Sequence, residues 1–194
     1  AKIIREAGGK VVYGGWPCGG TIYEFIQLLD KYKAWELTDV LDIHYFPLVA
    51  MELLRKEAAK RGYSDIGIWQ TEIGFTNNFS FVSNFYPRFL NWGLQNNWNF
   101  IDKYKLFYFA YWSPNDPKAY GYNLSLHLGE ELSLHGISLK TLAGLFDGNK
   151  IKIYEEVESI PKLKAELDER LSSMEAFSTD NSIVVAIHLV PNNE

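Results

Sequence analysis

Along the first 146 residues, short apolar runs of β type alternate with longer stretches in which apolar residues recur at helical spacing. Residues 10–15, KVVYGG, follow a Gly-Gly helix stop and predict a buried strand. Thr21 can cap the helix that follows, because over 22–32 the apolar positions Ile22, Phe25, Ile26, Leu28 and Leu29 fall largely on one face. The run 39–47, DVLDIHYFP, predicts a second strand ended by proline, and 49–61 an amphipathic helix closed by Gly62. A third strand is expected over 66–73, IGIWQTEI, with an Asn-, Phe- and Ser-rich loop to about 84 and a helix over 86–96. The fourth, 106–112, LFYFAYW, leads through a long loop to a helix over 137–146. Four βα units in succession call for parallel strands with right-handed crossovers, in an open sheet or in part of a barrel.

After residue 147 the pattern changes to turn-like and then alternating, and ends in a β run over 182–190. We read residues 1–147 as the βα part and 148–194 as the beginning of an appended β domain. The charged stretch 162–170 reads as a solvated face.

The segment GGWPCGG after the first strand has neither G-x-G-x-x-G spacing nor a P-loop lysine, which weighs against a nucleotide-binding sheet. A net charge of −5 gives no electrostatic reason to expect nucleic acid or an anionic membrane as partner. No run approaches the roughly 20 apolar residues that span a bilayer. The single cysteine, Cys18, excludes an internal disulfide and a cysteine-built zinc cage, and no metal site or cofactor is expected. Neither compartment, secreted or cytoplasmic, is favoured. The opening AKIIREAGG lacks an initiator Met and reads as a helix ending, so a chain cut from something longer is expected. Six Trp, twelve Tyr and twelve Phe supply more flat apolar surface than a small core requires, so part of it is expected to face a ligand.

The period of two in the third strand places Ile66, Ile68, Gln70 and Glu72 on one side, with Trp69 and Thr71 on the other. In a barrel, Glu72 then points inward at the carboxyl end, where a carboxylate is costly to bury and has no structural need to exist. The competing reading is a Glu that pairs with a loop Arg or faces water. In the second strand Asp42, His44 and Phe46 share one face, bringing His44 to the same rim; a hydrogen-bonded core histidine is the alternative. Trp112, at the expected end of the fourth strand, stands beside Asn115 and Asp116, a flat indole next to polar groups that suits a sugar ring. Trp16 ends the first strand in the same way, with packing as an equal reading. His127, His135 and His188 are read as structural, and no G-x-S-x-G elbow supports acyl transfer.

At these residues the chain resembles the clan A glycoside hydrolases, in particular the family 39-like and family 5-like β-glycosidases. Their last four barrel strands run as K-V-V-x-G-G, D-x-x-x-I-H-x-Y-P, I-W-x-T-E-x-G and a strand closing on Trp. The matching pieces here are KVVYGG at 10–15, DVLDIHYFP at 39–47, IWQTEIG at 68–74 and FAYWSPND at 109–116. The resemblance implies an α/β fold, the second half of a (β/α)8 barrel. It implies retaining hydrolysis of a glycoside, oligosaccharide or polysaccharide, with Glu72 as nucleophile. His44 and Tyr45 then bind or orient around the site, and Trp112 floors the subsite of the reacting sugar, with Asn115 and Trp16 as further sugar contacts. The acid/base carboxyl belongs to the other half-barrel, from the same protein or a partner chain, so the chain alone is expected to be inactive. Where the family has H-x-Y-P, this chain has Phe46, which cannot hydrogen-bond Glu72; Tyr45 serves instead only if the strand end bulges. The rival reading is a non-catalytic carbohydrate-binding or assembly module on a degraded barrel.

Overall fold

A computed structural model describes residues 1–74, 81–96, 103–146, 152–153, 171–180 and 182–189. The chain divides into two compact units, Ala1–Gly74 with Trp98–Phe109, and Phe75–Asn97 with Ala110–Glu194. The expected boundary at 147 and the charged stretch 162–170 lie outside the described residues.

The first unit opens with α1 (Lys2–Glu6) and is built on a parallel sheet of β1 (Val12–Trp16), β2 (Val40–His44), β3 (Gly67–Ile73) and β4 (Tyr104–Tyr108), which neighbour one another in chain order. A mixed α/β architecture with parallel strands, as the alternation of periods implies, is therefore present. After β1, Thr21 and Glu24 form a capping box at the start of α2 (Ile22–Lys31): the Glu24 N–H donates to Thr21 Oγ1, and the Glu24 carboxylate accepts from the Thr21 N–H. These bonds hold the Glu24 carboxyl below its ordinary value. Ile22, Phe25, Ile26 and Leu29 of α2 are buried, as the spacing predicts. A 3₁₀ turn, Ala34–Leu37, leads to β2, and α3 (Leu48–Lys60) buries Ala50, Met51, Leu54 and Ala58.

Both helices pack on one face of the sheet. Phe25 stacks on Tyr13 and Trp16 of β1, while the Gln70 amide of β3 reaches Met51 Sδ at 3.3 Å. Leu41, Ile43 and Ile68, in register with these positions, are fully buried on that face. The opposite face carries Asp42, His44, Trp69 and Lys105, the Lys105 ammonium lying 4.5 Å from the Trp69 ring centre.

In the second unit, α4 (Phe81–Gln95) begins five residues before the expected helix. Beside it are a small sheet of β5 (Trp112–Ser113), β6 (His127–Leu128) and β7 (Glu131–Leu132), and then α5 (Leu134–Phe146). A second sheet joins β8 (Lys152–Ile153), β9 (Leu171–Ser178) and β10 (Ile183–Leu189), its last two strands an antiparallel pair over the β run expected near 182–190. The Phe146 ring meets Phe177 edge-on at 5.4 Å.

The fourth strand differs from expectation. Phe109 N still donates to Ile73 O, but from Ala110 onward the backbone turns to residues 126–129: Leu126 N donates to Ala110 O and His127 N to Tyr111 O. The continuous run LFYFAYW is thus shared between two pairing partners. Trp112 does not end the fourth strand of the parallel sheet; it begins β5 in the other unit.

Candidate functional site

The carboxyl ends of the parallel strands are where the pairing becomes irregular. From Asp42 to His44 on β2, the partner positions on β3 run from Trp69 to Glu72, one residue more than regular pairing allows. This bulge brings Glu72 to the face that Thr71 already shares with Asp42 and His44. The strict alternation that paired Glu72 with Gln70 is corrected here, because Gln70 is fully buried on the helix side.

Bulging leaves the Thr71 N–H outside the strand ladder, and Asp42 supplies its partner, Oδ1 accepting at 2.9 Å. The Thr71 hydroxyl donates to Asp42 Oδ2 at 2.7 Å. His44 Nε2 lies 3.0 Å from Thr71 Oγ1 and 3.3 Å from Asp42 Oδ2, and His44 Nδ1 lies 3.2 Å from Glu72 Oε2. The side chain of Asp42 is 7% exposed, that of His44 21% and that of Glu72 37%. One oxygen of the Glu72 carboxylate therefore lies within ion-pair distance of His44, while Oε1 meets no donor among the described residues.

Two glycines let the neighbouring strand approach. Gly14 has φ +137°, and a Cβ there would run into the Asp42 carbonyl oxygen; Gly15 has φ +72° and lies against the His44 ring, its Cβ position 3.6 Å from Cε1. The KVVYGG motif thus ends in the two residues that a side-chain-bearing strand could not supply.

Beyond His44 the chain turns sharply. Tyr45 has φ +60°, rare for a residue with a side chain, and its N–H donates to Glu72 O at 3.1 Å. The Gln70 amide clamps the next residue, Oε1 accepting from Phe46 N and Nε2 donating to Phe46 O, both at 2.9 Å. Tyr108, the last residue of β4, has its phenol pushed above the ordinary range by burial, and the nearby Tyr45 adds to the shift.

The remaining expected residues sit elsewhere. Trp16 is on the helix side, its ring stacked 5.3 Å from Phe25, covered by Gly20 and tied through Nε1 to Thr21 O at 3.1 Å. Its apolar faces are used in packing. Trp112 and Asn115 belong to the second unit, where Trp112 is 54% exposed and donates from Nε1 to Gly129 O at 2.8 Å, fixing the indole plane. Asn115 is exposed beside Gly129. There the Tyr111 ring lies 4.9 Å from His127, and His135 is 1% exposed, burial pushing its imidazole toward the neutral form. The side chain of His188 lies outside the described residues.

Asp42 shares a face with His44 in the sequence pattern, but its contacts to Thr71 depend on the bulge, and Gln70 carries no sign in sequence of its backbone clamp. Among the described residues no three His, Cys, Asp or Glu side chains group as metal ligands, and no helix is long and apolar enough to cross a membrane. No family model, curated protein or solved structure matches the chain.

Proposed function

We propose that the chain carries the nucleophile half of a retaining glycoside hydrolase, arranged as half of a (β/α)8 barrel. The observation that carries the reading is Glu72. It is a carboxylate at the carboxyl end of a parallel strand, with Oε2 3.2 Å from His44 Nδ1 and Oε1 without a donor among the described residues. Strands neighbouring in chain order without reversal, with α2 and α3 on one face, are what an arc of such a barrel requires. Glu72 Oε1 attacks the anomeric carbon of a glycoside, oligosaccharide or polysaccharide, and the bond to the leaving oxygen breaks as a second carboxyl protonates it. Water, deprotonated by that second group, then releases the sugar from Glu72. On this reading the second carboxyl stands about 5–5.5 Å from Glu72 and comes from outside these 194 residues.

A mechanism-based glycosyl trap, applied to the polypeptide that includes the acid/base half, should label Glu72. Labelling at another carboxylate, with a Glu72→Gln variant that still turns over, would refute the assignment.

A carbohydrate-binding module without catalysis is favoured by Phe46, whose side chain offers no donor where the resembling family has tyrosine, and by the exposed, fixed indole of Trp112. Calorimetric glycan binding that survives Glu72→Ala, without turnover in the longest polypeptide, would select that reading.

A further inference from the structure

Among the described residues, the buried carboxylate of Asp42 has no place in the double displacement, yet it sits two bonds of a network away from Glu72. Its surroundings fix the direction of every hydrogen in that network. The Thr71 hydroxyl has one hydrogen, and it points to Asp42 Oδ2 at 2.7 Å. The hydroxyl therefore cannot donate to His44 Nε2, which lies 3.0 Å away, and Asp42 Oδ2, 3.3 Å from the same nitrogen, has no hydrogen to give as a carboxylate. Both partners of Nε2 are acceptors, so Nε2 carries a hydrogen. On the other side of the ring, Nδ1 lies 3.2 Å from Glu72 Oε2, within ion-pair distance.

We infer that Asp42, with Thr71, is a positioning residue: it fixes the hydrogen on His44 Nε2, and with it the orientation of the imidazole that stands 3.2 Å from Glu72 Oε2. The ring stands on the Oε2 side and leaves Oε1 as the reacting oxygen, which rests on the glycosidase reading above; the hydrogen arrangement itself does not. The same carboxylate caps the Thr71 N–H at the bulge, coupling the turn that presents Glu72 to the tautomer of the residue that faces it.

The test is nitrogen-15 NMR of the imidazole in the 194-residue chain, with His44 assigned by comparison with His44→Gln. Nε2 should be protonated in the wild-type chain, and an unprotonated Nε2 overturns the inference whatever the variants do. In Asp42→Asn the Thr71 N–H still needs an acceptor, so the amide oxygen stays there and the NH₂ turns to His44. Nε2 must then accept, and the tautomer reverses to Nδ1–H. An Nε2 that keeps its hydrogen in a folded Asp42→Asn overturns the inference as well. In the polypeptide with the acid/base half, Asp42→Asn should slow glycosyl trapping on Glu72 roughly 10–100-fold, and Thr71→Ser, which keeps the hydroxyl, should trap at the wild-type rate. A reversed tautomer with an unchanged trapping rate refutes the positioning role. Failure of the wild-type enzyme to label Glu72 strikes the glycosidase reading alone, and the tautomer still decides the hydrogen arrangement.

Discussion

The two ends of the parallel sheet are built on different rules. At the amino end the strands pair without interruption: Val12 with Val40, Val40 with Gly67, Leu41 with Ile68 and Ile68 with Tyr104. Ion pairs between segments staple that end. Arg5 forks onto Asp39 at 3.0 and 3.2 Å, Arg61 bridges Asp30 and Glu57 at 2.7 Å each and lies over the Trp35 ring, and Lys103 meets Asp65. At the carboxyl end every strand pair slips its register, between Gly14 and Trp16, between Asp42 and His44, and between Gln70 and Ile73. There Asp42 is buried and linked to Thr71 and His44, and Tyr45 takes a strained backbone. Regular pairing with exposed charge stabilises a fold; irregular pairing with enclosed charge is the arrangement that aims side chains. In parallel α/β sheets generally, ligands bind outside the carboxyl ends of the strands.

The contrast predicts that substitutions at the two ends have separable consequences. The largest effect belongs to Glu72→Gln in the polypeptide with the acid/base half. On the proposed glycosidase reading hydrolysis should fall on the order of 10⁴-fold, while denaturant unfolding moves by less than about 1 kcal/mol, because the side chain is 37% exposed. Equal losses of activity and stability would erase the distinction between the ends. Next is Leu29→Ala, in the last turn of α2 near the amino end, which removes a fully buried side chain. Urea unfolding should show a loss of about 2–5 kcal/mol. The geometry at His44 and Glu72 should stay intact, as read by an unchanged His44 nitrogen-15 spectrum.

The hydrophobic pattern made the regular end legible and the irregular end only partly so. Ile22, Phe25, Ile26 and Leu29 have one environment and announce it by spacing; KVVYGG announces a strand and its glycine end. The bulge in β3 has no such mark, since IGIWQTEI alternates as well with it as without it, and a single inserted residue moves Glu72 across the sheet. The rim placement of Glu72 with His44 was nevertheless reached, because both lie at strand ends. Tyr45 was legible only as a condition, a bulged strand end; in the fold it takes a left-handed backbone and gives its N–H to Glu72 O. The break between Tyr108 and Trp112 was hidden because an apolar run does not record which partner covers each half. For Trp16, an indole at a strand end reads alike whether it faces a cleft or, as here, the helix that follows.

A smaller effect is expected at the start of α2. Thr21→Ala removes the side-chain acceptor of the Glu24 N–H and half of the capping box, and should cost about 1 kcal/mol in urea unfolding. Thr21→Ser, which keeps the acceptor, should cost much less. A cost for Thr21→Ala as large as that of Leu29→Ala would place more of the stability at the carboxyl end than its irregular pairing implies.

The smallest expected effect tests whether the amino-end staples are the stabilising devices they resemble. The Asp39 carboxyl lies below its ordinary value of 3.8: burial opposes the shift, but the Val11 N–H at 2.7 Å and the Arg5 guanidinium outweigh it. Asp30 is lowered chiefly by its hydrogen bonds from Arg61, with burial opposing and the Trp35 indole assisting. A carboxyl with a depressed folded value stays ionised in the native chain while the unfolded chain takes up its proton. Its stabilisation is therefore complete above the ordinary value and is lost as pH falls through the folded one. Urea unfolding of the wild-type chain should weaken below about pH 4, and Asp30→Asn/Asp39→Asn should flatten that acid limb. Both side chains are about a third or more exposed, so solvent screening limits the double variant's loss at pH 7 to about 1 kcal/mol or less. An acid limb unchanged in the double variant would remove these two staples as the source of the acid sensitivity.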